Sequence, residues 1–211
     1  MRFVALIMAG GRGTRFGGDI EKPMAMFMGK PLIKRVIEAA KESKRIEKIY
    51  VAVTAYSPKT TQEIKNTSVR LIETDGKGYH TDLQQAIKDA KLSGPVLIIS
   101  ADLPLLNGKI IDEIVEKYEE SNKPALTVMI PEEACRKYGL SAVSIYEHNG
   151  NMYAVSGINI IDGQRIFEEQ EQEVFISSRP EAVFTVNSLN DLEAARKYLL
   201  NIKEKTKPKK K

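Results

Sequence analysis

Phe3-Val4-Ala5-Leu6-Ile7-Met8-Ala9-Gly10-Gly11-Arg12-Gly13-Thr14-Arg15-Phe16-Gly17-Gly18, followed by Lys22-Pro23, opens the chain and decides how the rest is read. Phe3 to Met8 is a short apolar run, which predicts a buried strand. The run ends in a loop with five glycines. Glycine lets backbone N–H groups converge on an anion with no Cβ in the way. Arg12, Arg15 and Lys22 add positive charge beside those amides, and a guanidinium grips phosphate oxygens in pairs. A polyphosphate site is predicted. A flexible glycine turn with no ligand is the plainer alternative, and the three cations and the framing strand argue against it. A P-loop is excluded, because its Gly-Lys-Ser/Thr ending is missing. The dinucleotide fingerprint also fails, because Phe16 stands where the third glycine belongs.

Outward from this loop, apolar runs alternate with helical spacing. Leu32, Ile33, Val36, Ile37 and Ala40 mark a helix. Ile49 to Val53 is a second strand, and Pro58 suits a helix start. Val69 to Glu73 is a third strand, followed by a helix around Leu83, Ala86, Ile87 and Ala90. Val96 to Ile99 is a fourth, with a helix around Ile110, Ile111, Ile114, Val115 and Tyr118. This order predicts an α/β fold: a Rossmann-like, mostly parallel sheet with helices on both faces. Ligands of such sheets sit beyond the carboxyl ends of the strands.

After Ala125 the pattern becomes β-rich. Leu126 to Ile130, Ala142 to Tyr146 and Tyr153 to Ile161 read as strands, with a turn at His148-Asn149-Gly150-Asn151. These pieces are expected to form a small lid over the sheet edge. Ala182 to Val186 reads as a last strand, before a closing helix from Leu189 to about Leu200.

The chain has 211 residues, which fits one domain, here residues 1–202, with 203–211 as a disordered basic tail. The net charge of +4 is misleading. The tail holds six lysines and one glutamate, and the rest of the chain holds 26 basic and 27 acidic side chains. A general nucleic-acid surface is therefore not indicated. The tail reads as a solvated end, with weak polyanion binding as the alternative. One cysteine, Cys135, permits no internal disulfide and points to a reducing, cytoplasmic setting. No apolar run has the length of a membrane span. His80 and His148 are the only histidines, unpaired with other ligands, which argues against zinc.

Leu6 to Gly17 with Lys22-Pro23 resembles the signature of nucleotidyltransferases related to the molybdenum-cofactor guanylyltransferases and sugar-phosphate nucleotidylyltransferases. Thr74-Asp75-Gly76-Lys77-Gly78-Tyr79 with Asp82-Leu83, Val128 to Pro131 and Ser156-Gly157-Ile158-Asn159 resemble, more narrowly, the archaeal-type GTP:adenosylcobinamide-phosphate guanylyltransferases of corrinoid (cobalamin) assembly. The likeness spans nearly the whole chain up to the lysine tail. It implies that GTP and adenosylcobinamide phosphate are the substrates and that pyrophosphate is released.

Candidate site residues follow the strand ends. Met8, Ala9, Gly10, Gly11, Arg12, Gly13 and Thr14 are expected around the nucleotide, with Arg15 and Lys22 on its phosphates. Asp102, in Ser100-Ala101-Asp102-Leu103-Pro104, is the natural Mg²⁺ ligand, since that ion takes one or two carboxylates and fills its remaining positions with phosphate and water. A turn or capping aspartate is the plainer reading. Asn187 matches the family's second metal-facing position, although a turn before the last helix explains it equally well. Asp75, Gly76, Lys77, Gly78 and Tyr79 border guanine and ribose by resemblance. Thr54 either faces the base or merely ends its strand. Gly157 and Asn159 receive the acceptor phosphate by resemblance.

A phosphate monoester needs no general base, because its oxygen is already anionic near neutral pH. The expected chemistry is charge neutralisation and positioning by Arg15, Lys22, Asp102 and Mg²⁺. A molybdopterin or sugar-phosphate acceptor is the nearest alternative, and a GTP-binding regulator without turnover is a further one.

Overall fold

The computed structural model describes residues 2–11, 13, 16, 20–142 and 144–205. Strand β1 (Phe3–Met8) leads into a small hairpin, β2 (Met26–Phe27) and β3 (Lys30–Pro31). Then follow α1 (Leu32–Glu42), β4 (Ile46–Thr54), α2 (Pro58–Ile64), β5 (Arg70–Thr74), α3 (Tyr79–Asp89), β6 (Pro95–Ser100) and α4 (Gly108–Glu120). The second half comprises β7 (Ala125–Pro131), α5 (Glu132–Lys137), β8 (Ile145–His148), β9 (Asn151–Asp162), β10 (Gln172–Ile176), α6 (Pro180–Val183) and α7 (Leu189–Lys205). The result is a single mixed α/β domain on a mostly parallel sheet, as the alternation predicts.

The main sheet runs β10-β7-β9-β6-β1-β4-β5, with β8 paired to β9 off this path. Pairs β1–β4, β1–β6, β4–β5 and β7–β10 are parallel. Strand β9 is antiparallel to both β6 and β7. It therefore runs against the sheet from within it.

Alternation along the strands divides the core. Phe3, Ala5 and Ile7 of β1, Val51 and Val53 of β4, and Leu97 and Ile99 of β6 face one side, where α1, α4 and α7 bury Val36, Ile114 and Ala195. Leu6, Tyr50, Ala52, Val96 and Ile98 face the other, where α3 packs Leu83, Ala86 and Ile87. Period-two alternation of large apolar groups is what lets each strand serve both layers. On the second face, among the described residues, α3 is the only helix in the core. Thr127, Met129 and Val155, beyond β6 on this side, have no helix over them among the described residues.

Three expectations are corrected. The antiparallel segment is not a lid over the sheet edge: β9 is inserted between β6 and β7, and only the β8–β9 hairpin extends outward. Its turn does fall at Asn149-Gly150, both with positive φ, as a tight two-residue hairpin requires. Ala182 to Val186 is not a strand, because Pro180 at the first helical position starts α6. The missing strand is β10, whose acidic flanks hide it. The closing helix also runs to Lys205, taking in the start of the predicted tail; residues 206–211 lie outside the described residues. Among those described, no helix is long and apolar enough to cross a membrane.

Candidate active site

Two cavities open where the parallel strands end. The smaller, about 300 Å³, lies over β1 and is lined by Met8, Ala9, Gly10, Gly11, Gly13 and Lys22, with Gly76, Gly78, Tyr79 and Asp82 across from them. The larger, about 930 Å³, spreads over the strip of sheet that no helix covers, from Ile98 across Asn159 and Val155 to Thr127 and Met129. Tyr79, Ser100 and Asp102 line both.

The glycine loop is pinned at its two ends. The Ala9 N–H donates to the Ala52 carbonyl at 2.9 Å. Thr54 Oγ1 donates to the Gly10 carbonyl at 2.7 Å and accepts from the Tyr56 N–H at 3.1 Å. A Cβ at Gly10 would stand 2.5 Å from Thr54 Cγ2, so only glycine allows this approach. Thr54 is thus turned to the loop, not to open space, and is buried. At the far end, Glu21 accepts from the Lys59 and Thr60 N–H groups and the Thr60 hydroxyl, at 2.7, 2.7 and 2.6 Å. Helix α2 has no side-chain cap of its own, and Glu21 supplies one from outside while anchoring the backbone beside Lys22. Arg12, Thr14 and Arg15 lie outside the described residues.

The second nucleotide-facing loop divides into residues that reach the cavity and residues that do not. Gly76, Gly78 and Tyr79 line it. Asp75 and Lys77 pair with each other on the exposed surface, Nζ to Oδ2 at 2.6 Å. The hydrogen bonds from Lys77 and Gln85 hold the Asp75 carboxyl below its ordinary value. The organiser of this loop is Asp82, whose Oδ1 accepts from the Gly76 and Lys77 N–H groups at 2.9 and 3.1 Å. An acidic side chain in the first turn of α3 was the available signal.

Asp102 sits at the end of β6 with its side chain 10% exposed. One oxygen, Oδ2, takes the Lys22 ammonium. The other, Oδ1, is buried with no hydrogen-bond partner. A buried carboxylate oxygen left bare is costly unless something charged meets it. Val186 donates its N–H to the Asp102 carbonyl at 2.9 Å, which brings the Val186–Asn187 turn against this residue. That turn is built by Asp191, which is fully buried. Its carboxylate accepts from the N–H groups of Ser141, Asn187 and Ser188 at 2.8, 2.9 and 2.7 Å. One residue therefore fixes both Asn187 and the loop that borders the larger cavity.

Asn187, Gly157 and Asn159 all line the larger cavity with Asp102. Among the described residues no group of three His, Cys, Asp or Glu is arranged to hold a metal. The residues present nonetheless fit a Mg²⁺ ion shared with phosphates: one carboxylate with a bare oxygen and one neutral amide. Cys135 is buried and its thiol is pushed up, chiefly by desolvation, which suits an inert residue.

Comparison with known proteins finds relatives over most of the chain. A model of the MobA-like NTP transferase domain matches residues 5–143. The adenosylcobinamide-phosphate guanylyltransferase of Methanocaldococcus jannaschii is 36% identical over 205 residues, covering 92% of this chain and 96% of that relative. A probable molybdenum cofactor guanylyltransferase of Thermococcus sibiricus is 32% identical over 121 residues, 56% of this chain and 57% of its own. Among solved structures, CMP:2-keto-3-deoxy-manno-octonic acid synthetase complexed with CTP superposes with a TM-score of 0.67 at 14% identity, over 95% of this chain and 99% of that one. That likeness speaks for the fold alone.

Proposed function

The chain belongs to the MobA-like NTP transferase domain family, and from that premise we propose that it is a GTP:adenosylcobinamide-phosphate guanylyltransferase of cobalamin biosynthesis, working in the cytoplasm. It moves GMP from GTP onto adenosylcobinamide phosphate and releases pyrophosphate. The carrying observation is that two cavities of different size meet at Asp102. The smaller suits a nucleotide, and the larger is roomy enough to admit part of a bulky acceptor. The near-full-length relationship to the Methanocaldococcus protein supports the identity of that acceptor, because it extends over β7 to β10. The molybdenum-cofactor relative covers little more than half the chain.

In this reading the amides of Gly10, Gly11 and Gly13 receive the β- and γ-phosphates, with Arg12, Thr14 and Arg15 beside them. Lys22 leaves Asp102 for the phosphates when GTP enters. Gly76, Gly78 and Tyr79 border the guanosine, while Asp75 and Lys77 close the loop's outer side. Asp102 and Asn187 would hold Mg²⁺, which polarises the α-phosphate when bound. An acceptor phosphate oxygen attacks the α-phosphorus as the bond to pyrophosphate breaks. The protein's task is to bring two anions together, so cations and amides, and not a general base, lower the barrier.

The test is a nucleotide panel with adenosylcobinamide phosphate, following pyrophosphate. Release from GTP that depends on the acceptor is expected. Release with a molybdopterin or sugar-phosphate acceptor instead, or none with any acceptor, overturns the proposal.

A further inference from the structure

The larger cavity poses a charge problem. On the reading above it receives a molecule that carries a phosphate monoester. Yet among the described residues no lysine or arginine lines it, and its charged neighbours are Asp102 and Glu168. The cation at the seam, Lys22, is engaged by Asp102 Oδ2 and goes to the nucleotide phosphates on the reading above. Among the described residues, that leaves neutral hydrogen-bond donors at the seam to hold the acceptor phosphate.

We propose that the hydroxyls of Ser100 and Tyr79 form the acceptor-phosphate subsite, each donating to a non-bridging oxygen of the phosphate and presenting another oxygen to the nucleotide. This rests on the guanylyltransferase reading and assigns the specificity of the same site. The first argument is position. A bond forms between a group in one cavity and a group in the other, so the reacting phosphates lie at the seam, and among the described residues only Ser100 and Tyr79, besides Asp102, border both cavities.

The second argument is that space has been kept for the Ser100 hydroxyl. Pairing of β6 with β9 runs to Ile99 opposite Ile158, leaving Ser100 beside Gly157. Gly157 has φ +79°, and a Cβ there would stand 2.8 Å from Ser100 Oγ. A side chain at 157 would be strained by its backbone and would press on this one oxygen. The register between β7 and β9 also shifts between Thr127 and Met129, the stretch flanking Gly157. The β9 backbone thus comes close to Ser100 and stops short of its Oγ only because residue 157 has no side chain; that oxygen has no hydrogen-bond partner among the described residues.

The third argument is donor type. A phenol is neutral and keeps its proton near neutral pH, so the Tyr79 hydroxyl can donate to a phosphate. Although 43% of the residue is exposed, the ring borders both cavities and stands edge-on to His80, with centroids 5.5 Å apart. A hydroxyl donor, unlike an ammonium, leaves the acceptor oxygen's nucleophilic charge largely intact.

The experiment measures equilibrium binding of adenosylcobinamide phosphate and of dephosphorylated adenosylcobinamide, through the corrinoid's own visible absorbance. Wild-type protein is expected to prefer the phosphorylated form. Ser100→Ala and Tyr79→Phe should each cut that preference by about 10-fold, the usual worth of one hydrogen bond to a charged group. For Ser100→Ala, GTP affinity and thermal midpoint should stay near wild type, which separates a recognition role from a structural one. If both variants keep the full preference, or Ser100→Ala loses GTP affinity in parallel, the subsite is wrong. If the wild type shows no preference for the phosphorylated form, the proposed acceptor itself fails, which is a separate result.

Discussion

The two cavities are built by opposite means. The nucleotide side is made of backbone: glycine amides after β1 and a second glycine loop after β5, each locked by one buried acidic or hydroxyl side chain. The acceptor side is made of side chains spread over a bare strip of sheet, with no repeated device. Backbone sites depend on where the chain can turn, and that leaves a mark in sequence. Side-chain sites depend on which distant strands become neighbours, and that leaves almost none.

The largest expected effect removes the element the two halves share. Asp102→Ala should lower turnover by about 10²-fold or more, as loss of a transition-state charge stabiliser typically does. Wild-type turnover at saturating Mg²⁺ and GTP would show that the bare oxygen is idle. A sharper cut affects only the backbone side. Gly10→Ala drives a Cβ to 2.5 Å from Thr54 Cγ2, and should weaken GTP binding about 10-fold while acceptor binding holds, because a misplaced loop loses charge-assisted contacts. Adding Thr54→Ser removes the methyl, keeps the hydroxyl, and should restore part of the loss in a GTP titration. Full recovery is not expected, since the Thr54 N and Val53 C atoms stay within 3.3 Å.

The converse cut is Val155→Trp, on the uncovered face of β9. It should raise the acceptor KM by about 5- to 10-fold and leave GTP affinity unchanged, since it takes volume from a pocket whose fit sets affinity. Equal effects on both substrates would mean that the cavities are one site. The smallest effect concerns Cys135, which lines the larger cavity yet is buried with a raised thiol pKa. Thiol reagents at pH 8 should label it only as fast as the protein opens, and denaturant should restore ordinary reactivity. Rapid native labelling would show that the cavity wall is looser than drawn.

The fold of the first half was legible because β1, β4, β5 and β6 are apolar runs closed by glycine, proline or a polar turn. Asp102 was legible by the same logic, as a charged group just past a strand end, and Lys22 as a cation closing the glycine-rich loop. Thr54 and Asp75 were placed near the nucleotide, and the structure gives them other partners. Proximity to a strand end does not say which way a side chain turns. Asp82 and Asp191 carried the local signal of an acidic side chain in the first turn of a helix, whereas Glu21 was missed as an organiser because it works on backbone N–H groups of another segment. A carboxylate capping a helix 38 residues away has no local signature. Strand β10 was missed for a related reason: it becomes a strand by adding to β7 at the sheet's rim.

The reversed strand also dictates an order of assembly. Strands β6 and β7 do not touch as ladder partners; each pairs with β9, which follows both in the chain. The block β5-β4-β1-β6 can close as soon as residue 100 has emerged. Strand β7 has no ladder partner until residues 151–162 arrive, and β10 follows later still. Slow, non-local closure of this kind falls late in folding. Amide exchange during refolding should therefore protect β1 before β7, with half of the molecule native while the rest still searches for its place.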